Sequence, residues 1–172
     1  MMMSIVLVAV LFVSGCAGIS KEVRQMGELS LSSPAFGDNG MIPGKYTCRG
    51  DDVNPELRIA NVPENASSLV LIMDDPDAPM GTWVHWVVFN MPVTTRIGED
   101  SVPAGAVQGK NGWGRNAYGG PCPPSGTHRY VFKLYALDAR LDLEAGSTLE
   151  QVEQAMHGHV LAQTKLTGRF GS

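Results

Sequence analysis

The sequence predicts one mainly β domain, built from antiparallel strands with one or two peripheral helices. Three apolar segments have the pattern of strands, and 20 glycines and 11 prolines punctuate a chain of 172 residues. Charged residues make up 17% of the chain, whereas roughly a quarter is usual for a globular protein. This composition favours short strands joined by structured loops over a helical bundle. The hydrophobic content of 44% excludes wholesale disorder.

The first two predicted strands are residues 68–74 and 82–91. The first is a continuous apolar run, which is typical of a buried strand. Alternation in the second divides its side chains into two apolar faces, so we expect a central position in the sheet. These faces are Trp83, His85, Val87 and Phe89 on one side and Val84, Trp86 and Val88 on the other.

Residues 127–137 form the third predicted strand, after a long loop at residues 97–125. Alternation places His128, Tyr130, Phe132 and Leu134 on one face of this strand. The loop contains Trp113, Tyr118 and a stiff proline-rich segment. Because loops of this length in compact domains are usually functional or disordered, we interpret this one as functional.

A C-terminal helix is predicted from a capping box formed by Ser147 and Glu150. Apolar residues continue at helical spacing through Met156 and Val160, and Gly168 is expected to end the helix.

The first fifteen residues have the features of an export signal and not of the domain. They carry no charged side chain, and the run is too short for a membrane-spanning helix. The junction at residues 13–16 (VSGC) resembles a lipoprotein processing site, which predicts a lipid-modified Cys16 at the start of the mature chain. Residues 16–28 would then be a tether and 29–172 the domain, anchored outside the cytoplasm to the cell membrane. The alternative is a buried N-terminal strand with a chance cysteine.

Polar residues with chemical potential follow or begin the predicted strands. Asp75 and Asp77 lie in a DPDAP turn after the first strand, where the two prolines restrict the backbone. His85 lies within the second strand, and His128 and Tyr130 share a face at the start of the third. Two carboxylates, two imidazoles and a phenol beside one long loop could together form a polar pocket.

Two segments of the sequence resemble the signature regions of the phosphatidylethanolamine-binding protein family, which includes the Raf kinase inhibitor proteins. They are DPDAP at 75–79 with His85-Trp86, and YGGPCPP at 118–124 with His128-Arg129-Tyr130. The stretches at 42–48 and 54–57 are similar to the prokaryotic branch. The resemblance covers roughly residues 29–170.

The resemblance implies a β-sandwich with a small pocket that binds phosphate or a phospholipid head group such as phosphoethanolamine. Carried over by motif, the implied ligand-binding residues are Asp75, His85, Gly120, Cys122, Pro124, His128 and Tyr130. A carboxylate beside an imidazole favours its charged form, so Asp75 would keep His85 or His128 protonated near neutral pH. Arg129 faces away from His128, and we expect it to brace the turn by pairing with Asp77. These two residues are predicted to be structural.

Several other functions are weighed against this binding role. The net charge of −4 argues against nucleic-acid binding. A metal site of Asp75, Asp77, His85 and His128 lacks a recognisable ligand spacing. A hydrolase is disfavoured because the sequence contains no nucleophile motif, so no enzyme activity is expected. No cofactor or metal is expected either. Inhibition of a protease or kinase through an unknown protein partner remains the alternative.

Cys48 and Cys122 are the two thiols left once Cys16 carries lipid. An exported chain meets an oxidising environment, which favours a disulfide between them. Two free thiols near the pocket are the competing possibility.

Overall fold

The computed structural model describes residues 27–171 of the chain. The predicted signal peptide, the lipidated Cys16 and nearly all of the tether lie outside the described residues. In chain order the strands are β1 (Ser30–Ser32), β2 (Gly40–Met41), β3 (Leu57–Ala60), β4 (Ser68–Asp75), β5 (Trp83–Met91), β6 (Arg96–Ile97), β7 (Val107–Gln108), β8 (Thr127–Leu137) and β9 (Val160–Gly171). The helix α1 is Leu149–Met156.

The strands form two sheets, which confirms the predicted mainly β fold. The smaller sheet has the order β1-β3-β6, and the larger has the order β2-β9-β8-β4-β5-β7. Apart from the two-residue β2, which runs parallel to β9, the paired strands are antiparallel. The strand at the centre of the larger sheet, β4, is buried along its whole length, as its continuous apolar sequence predicts.

The larger sheet has an apolar cluster on each face. The inner cluster lies between the two sheets and contains Leu71 of β4, Ile59 of β3 and Phe132 of β8. The outer cluster packs Val70 and Ile72 of β4 against Val152 of α1. Alternation along β4 therefore supplies both cores, because successive side chains of a strand point to opposite faces.

A β-bulge at His85 changes the predicted pattern of β5. Met73 pairs with Trp86, whereas the next residue of β4, Asp74, pairs with Val84, so His85 is an extra residue on its strand. Because of the bulge, Val87 and Phe89 belong to the outer cluster, whereas the ring of His85 contacts Tyr130 of the inner cluster. The predicted face shared by His85, Val87 and Phe89 is therefore wrong.

The C-terminal helix is shorter than predicted. Its N-cap is Thr148, not Ser147, and the capping box is completed by Gln151, not Glu150. The helix ends at Met156, and Gly158 then adopts a positive φ of 83°. The following residues, predicted to be helical up to Gly168, instead form β9 and pair with β8 along its length. Val160 continued the helical spacing only by coincidence.

No helix in residues 27–171 combines the length and the apolar character that a transmembrane crossing would need.

Candidate functional site

A pocket of about 270 Å³ lies at the end of the larger sheet, where β4 ends and β5 and β8 begin. Three of its lining residues are polar, namely Asp75, His85 and His128, and all three are buried. Around them the lining is apolar and includes Cys122 and Pro124 of the long loop. Because β5 and β8 both pair with β4, they bring His85 and His128 next to Asp75, although these residues lie 10 and 53 positions after it in the sequence.

Asp75 and His128 form the polar pair of the pocket. The carboxylate Oδ2 lies 2.7 Å from the ring Nδ1 of His128, and both residues are less than one-tenth exposed. The other oxygen, Oδ1, accepts the backbone N–H of Asp77 at 2.9 Å, which closes the DPDAP turn. A carboxylate only accepts hydrogen bonds, so Nδ1 carries a proton and donates it. The Nε2 atom of His128 forms no hydrogen bond with the described residues.

His85 is held by the long loop. Its Nδ1 lies 2.7 Å from the carbonyl oxygen of Gly119, and the N–H of Gly119 donates to the carbonyl of His85 at 3.0 Å. Burial lowers the pKa of His85 more than the nearby Asp75 raises it. The sequence left open which histidine Asp75 would keep protonated. The Asp75 carboxylate contacts His128, whereas burial favours the neutral form of His85, so of the two alternatives the contacts favour His128 for that role.

Tyr130 lies directly behind these residues on β8. Its side chain is fully buried, and its ring meets that of His85 edge to face at 5.1 Å. The hydroxyl has no hydrogen-bond partner among the described residues. Burial raises the pKa of Tyr130 well above its ordinary value, and the Asp75 carboxylate acts in the same direction. The phenol therefore keeps its proton and has a donor to spare.

The part of the long loop that carries Cys122 and Pro124 forms one wall of the pocket, here called the loop wall. It is linked to the segment around Cys48. Cys48 and Cys122 form a disulfide, and the N–H of Cys48 donates to the carbonyl of Pro121. The N–H of Gly120 donates to Oδ1 of Asp52 at 2.6 Å. A Cβ atom on Gly120 would lie 2.6 Å from the carbonyl oxygen of Tyr46, so a larger residue would push the two segments apart. The wall's position therefore depends on contacts distant in sequence.

Asp77 and Arg129 pair outside the pocket, as expected for the two structural residues. The Asp77 carboxylate accepts hydrogen bonds from the Arg129 backbone N–H, Nε and Nη2 at 2.6–2.9 Å. These contacts join the DPDAP turn to the first residues of β8, and they lower the pKa of Asp77 strongly.

The pocket is also bordered by three large apolar residues that the sequence does not predict there. They are Met80, Trp83 and Trp113. The sequence predicts a strand for Trp83 and a functional loop for Trp113, but its pattern does not indicate that both residues reach the pocket. Among the described residues, no group of three or more histidine, cysteine, aspartate or glutamate side chains is arranged to hold a metal ion.

Residues 32–171 match the model of a known family, described as "Phosphatidylethanolamine-binding protein". The chain belongs to the phosphatidylethanolamine-binding protein family. The two segments that carry the resemblance meet at one pocket, which is lined by Asp75, Ala78 and Pro79 of the DPDAP turn and by Cys122 and Pro124 of the long loop.

Relatives of this chain occur in archaea and bacteria. A UPF0098 protein of Methanothermobacter thermautotrophicus is 51% identical over 148 residues, which is 83% of this chain and 98% of the relative. A UPF0098 protein of Pyrococcus horikoshii is 46% identical over 166 residues, or 91% and 81% of the two chains.

Two solved structures also resemble the chain. A putative phosphatidylethanolamine-binding protein homologue from Chlamydia trachomatis has a TM-score of 0.82 and 42% identity, covering 84% of this chain and 98% of that one. Escherichia coli YbcL, described as a new member of the mammalian family, has a TM-score of 0.79 and 29% identity, covering 85% and 99%.

Proposed function

We propose that the chain is a binding protein for small phosphate-containing anions, including phospholipid head groups such as phosphoethanolamine, and that it does not turn its ligand over. The observation that carries this proposal is the buried Asp75–His128 pair at the floor of an open pocket. A protonated His128 donates from Nδ1 to Asp75 and has its Nε2–H left for a phosphate oxygen.

Further support comes from the other polar groups around the pair. The Tyr130 hydroxyl lies buried behind the floor without a hydrogen-bond partner among the described residues, so it can donate to a water beneath the ligand. The neutral His85 is fixed by Gly119 and sets the shape of the floor. A hydrogen bond to a charged group contributes about 1.5–3 kcal/mol, so one or two such bonds support moderate affinity.

The described lining offers little for covalent catalysis. Among the described lining residues there is no serine, threonine or lysine, and the one cysteine, Cys122, is held in the disulfide. A binding role therefore fits the pocket better than a hydrolytic one.

We also propose that Cys16 carries lipid and anchors the chain to the outer side of the cell membrane. Gly27 and Leu29 border a groove that includes Ala162, which pairs with Ala136 of β8, whereas His128 lies at the other end of that strand. At about 3.4 Å per residue, the strand between His128 and Ala136 is roughly 27 Å long. The tether therefore joins the domain far from the pocket, which leaves the pocket accessible from the aqueous side.

Native mass spectrometry of the purified chain tests the binding proposal. Added phosphoethanolamine should give a one-to-one complex, and inorganic phosphate should compete with it. A failure of both compounds to bind at millimolar concentration would contradict the proposal.

For the anchor, Cys16→Ser should move the protein from the membrane fraction to the soluble fraction, and unchanged fractionation would contradict lipidation.

A further inference from the structure

The charges around the pocket do not favour a bare anion. Among the described lining residues there is no lysine or arginine, and Asp75 contributes a full negative charge. The nearest arginine of the two motifs, Arg129, is already engaged with Asp77 on the other face of β8. A protonated His128 brings its pair with Asp75 to zero net charge, and burial disfavours a charge on His85. The floor is therefore neutral or negative near neutral pH.

Two indole rings form a corner at the mouth of this floor. Trp83 and Trp113 lie with their ring centroids 5.5 Å apart and their planes at 76°, and Trp113 also meets His85 edge to face. The side chains are 37% and 44% exposed, so both rings reach solvent. The fully exposed Met80 lies on the same rim.

Glycines beneath the rings hold this corner in place. A Cβ atom on Gly112 would lie 2.4 Å from the Trp83 ring, and one on Gly119 would lie 2.5 Å from the Trp113 ring. The backbone of both glycines is bonded to the bulged start of β5, through the carbonyls of Val84 and His85. The rings thus rest on the segment that also positions the polar floor.

The Trp113 ring already attracts a cation. The guanidinium carbon of Arg115 lies 5.5 Å from the ring centroid, within the range of a cation–π interaction. Proteins recognise quaternary ammonium groups with aromatic faces of this kind, and a nearby carboxylate adds electrostatic attraction for the cation.

We infer that the pocket prefers phosphate esters that carry a quaternary ammonium group, as phosphocholine does. The inference rests on the proposed phosphate-binding function and names its ligand class. The phosphate lies against His128, and the trimethylammonium group lies in the corner of Trp83 and Trp113 within the field of Asp75. The ammonium group of the ligand then brings a positive charge into a pocket whose described lining has no lysine or arginine.

A primary ammonium fits this corner less well than a quaternary one. Its three N–H groups need acceptors, and Asp75, each of whose oxygens already accepts one hydrogen bond from the protein, has about two acceptor sites left. Indole faces offer only a weak alternative, so part of the hydration of the ammonium group would be lost without replacement. A quaternary ammonium has no N–H and avoids this cost. The volume of about 270 Å³ lies just below the range of about 300–1,000 Å³ for drug-sized ligands, which suits a head group.

Calorimetric titration with phosphocholine, phosphoethanolamine, inorganic phosphate and choline tests the inference. The wild-type protein should bind phosphocholine at least about threefold more tightly than phosphoethanolamine, and phosphate and choline more weakly than either. Trp113→Leu should weaken phosphocholine binding about 3- to 30-fold, the range between an exposed and a desolvated cation–π contact, and phosphate binding less than twofold. Trp113→Phe, which keeps an aromatic face, should restore part of the affinity.

Arg115→Gln is the matched control, because it removes the guanidinium above the same ring and leaves the indole in place. It should bind phosphocholine as tightly as the wild type or more tightly. Equal or tighter binding of phosphoethanolamine by the wild type would overturn the inference and leave the proposed function intact. Equal weakening of phosphate and phosphocholine by Trp113→Leu would do the same. If none of the three phosphate compounds binds, the proposed function fails and the inference fails with it.

Discussion

The Nδ1 atom of His128 lies 2.7 Å from Oδ2 of Asp75, across the end of two neighbouring strands. Under the proposed function, this contact gives the acidic residue of the pocket a favourable role in binding an anion. The carboxylate orients the imidazole and holds its proton on Nδ1, and in the proposed complex it would stabilise a positive charge on the ring while Nε2–H donates to a phosphate. The pair is buried, which strengthens the interaction relative to one at the surface.

Asp75→Asn should therefore weaken the binding of phosphoethanolamine, although it removes a negative charge. The loss of one charge-assisted hydrogen bond is on the order of 1.5–3 kcal/mol, or roughly 10- to 100-fold in affinity. Calorimetry at pH 6.5 measures the change. If the carboxylate only repelled the anion, the variant would bind more tightly, and that result would refute the role given to Asp75.

Gly120→Ala should destabilise the loop wall. The new methyl group would lie 2.6 Å from the Tyr46 carbonyl oxygen and 2.8 Å from Cα of Thr47, both of which are backbone atoms. Relieving such overlap costs about 1–3 kcal/mol, which denaturant unfolding can measure. Gly44→Ala is the matched control, since a Cβ there meets nothing within 4 Å. Equal stability of the two variants would show that the close packing at Gly120 is unimportant.

The Cys48–Cys122 disulfide should resist alkylation and stabilise the fold. Its ends are separated by 74 positions, and the chain-entropy model assigns about 4 kcal/mol to a loop of that size. Intact mass after alkylation without reductant should show no alkyl group on either residue, and Cys48→Ser with Cys122→Ser should lower the unfolding free energy. Alkylation of both residues in the unreduced protein would rule out the bridge.

Much of the fold followed from local sequence pattern. The apolar run of β4 and the alternation of β8 predicted strands whose bounds agree with the structure to within one residue. The prediction failed where a non-local partner decided the outcome. Residues after Gly158 pair with β8, and that ladder outweighs the helical spacing that ends at Val160.

The site was predictable as a set of residues but not as a geometry. The two motifs indicated Asp75, His85, His128 and Tyr130, yet nothing local shows which histidine meets the carboxylate. At the bulge, the ring of His85 contacts the carbonyl oxygen of Gly119, and the Asp75 carboxylate contacts His128 instead. The contribution of Trp113 depends on how a long loop folds back over β5, which no local pattern encodes.

His85 should make the fold less stable in mild acid. Burial lowers its pKa in the folded protein below the ordinary value of about 6.5, so the unfolded chain takes up the proton first. Folding stability from this group is complete above about pH 6.5 and is lost as the pH falls below it. His85→Asn, whose amide N–H can still reach Gly119, should lose less unfolding free energy than the wild type between pH 7.5 and 5.5. Identical losses in chemical denaturation would contradict a buried neutral His85.

The pocket assignment is tested most directly by titrating phosphoethanolamine into the wild type and His128→Ala between pH 8 and pH 6. Wild-type affinity should rise as the pH falls, since a histidine gains its proton in this range and only protonated His128 offers Nε2–H to the phosphate. His128→Ala should bind roughly 10- to 100-fold more weakly at pH 6 and lose the pH dependence. Equal affinity of the two proteins across this range would contradict the assignment of His128 as the anion donor.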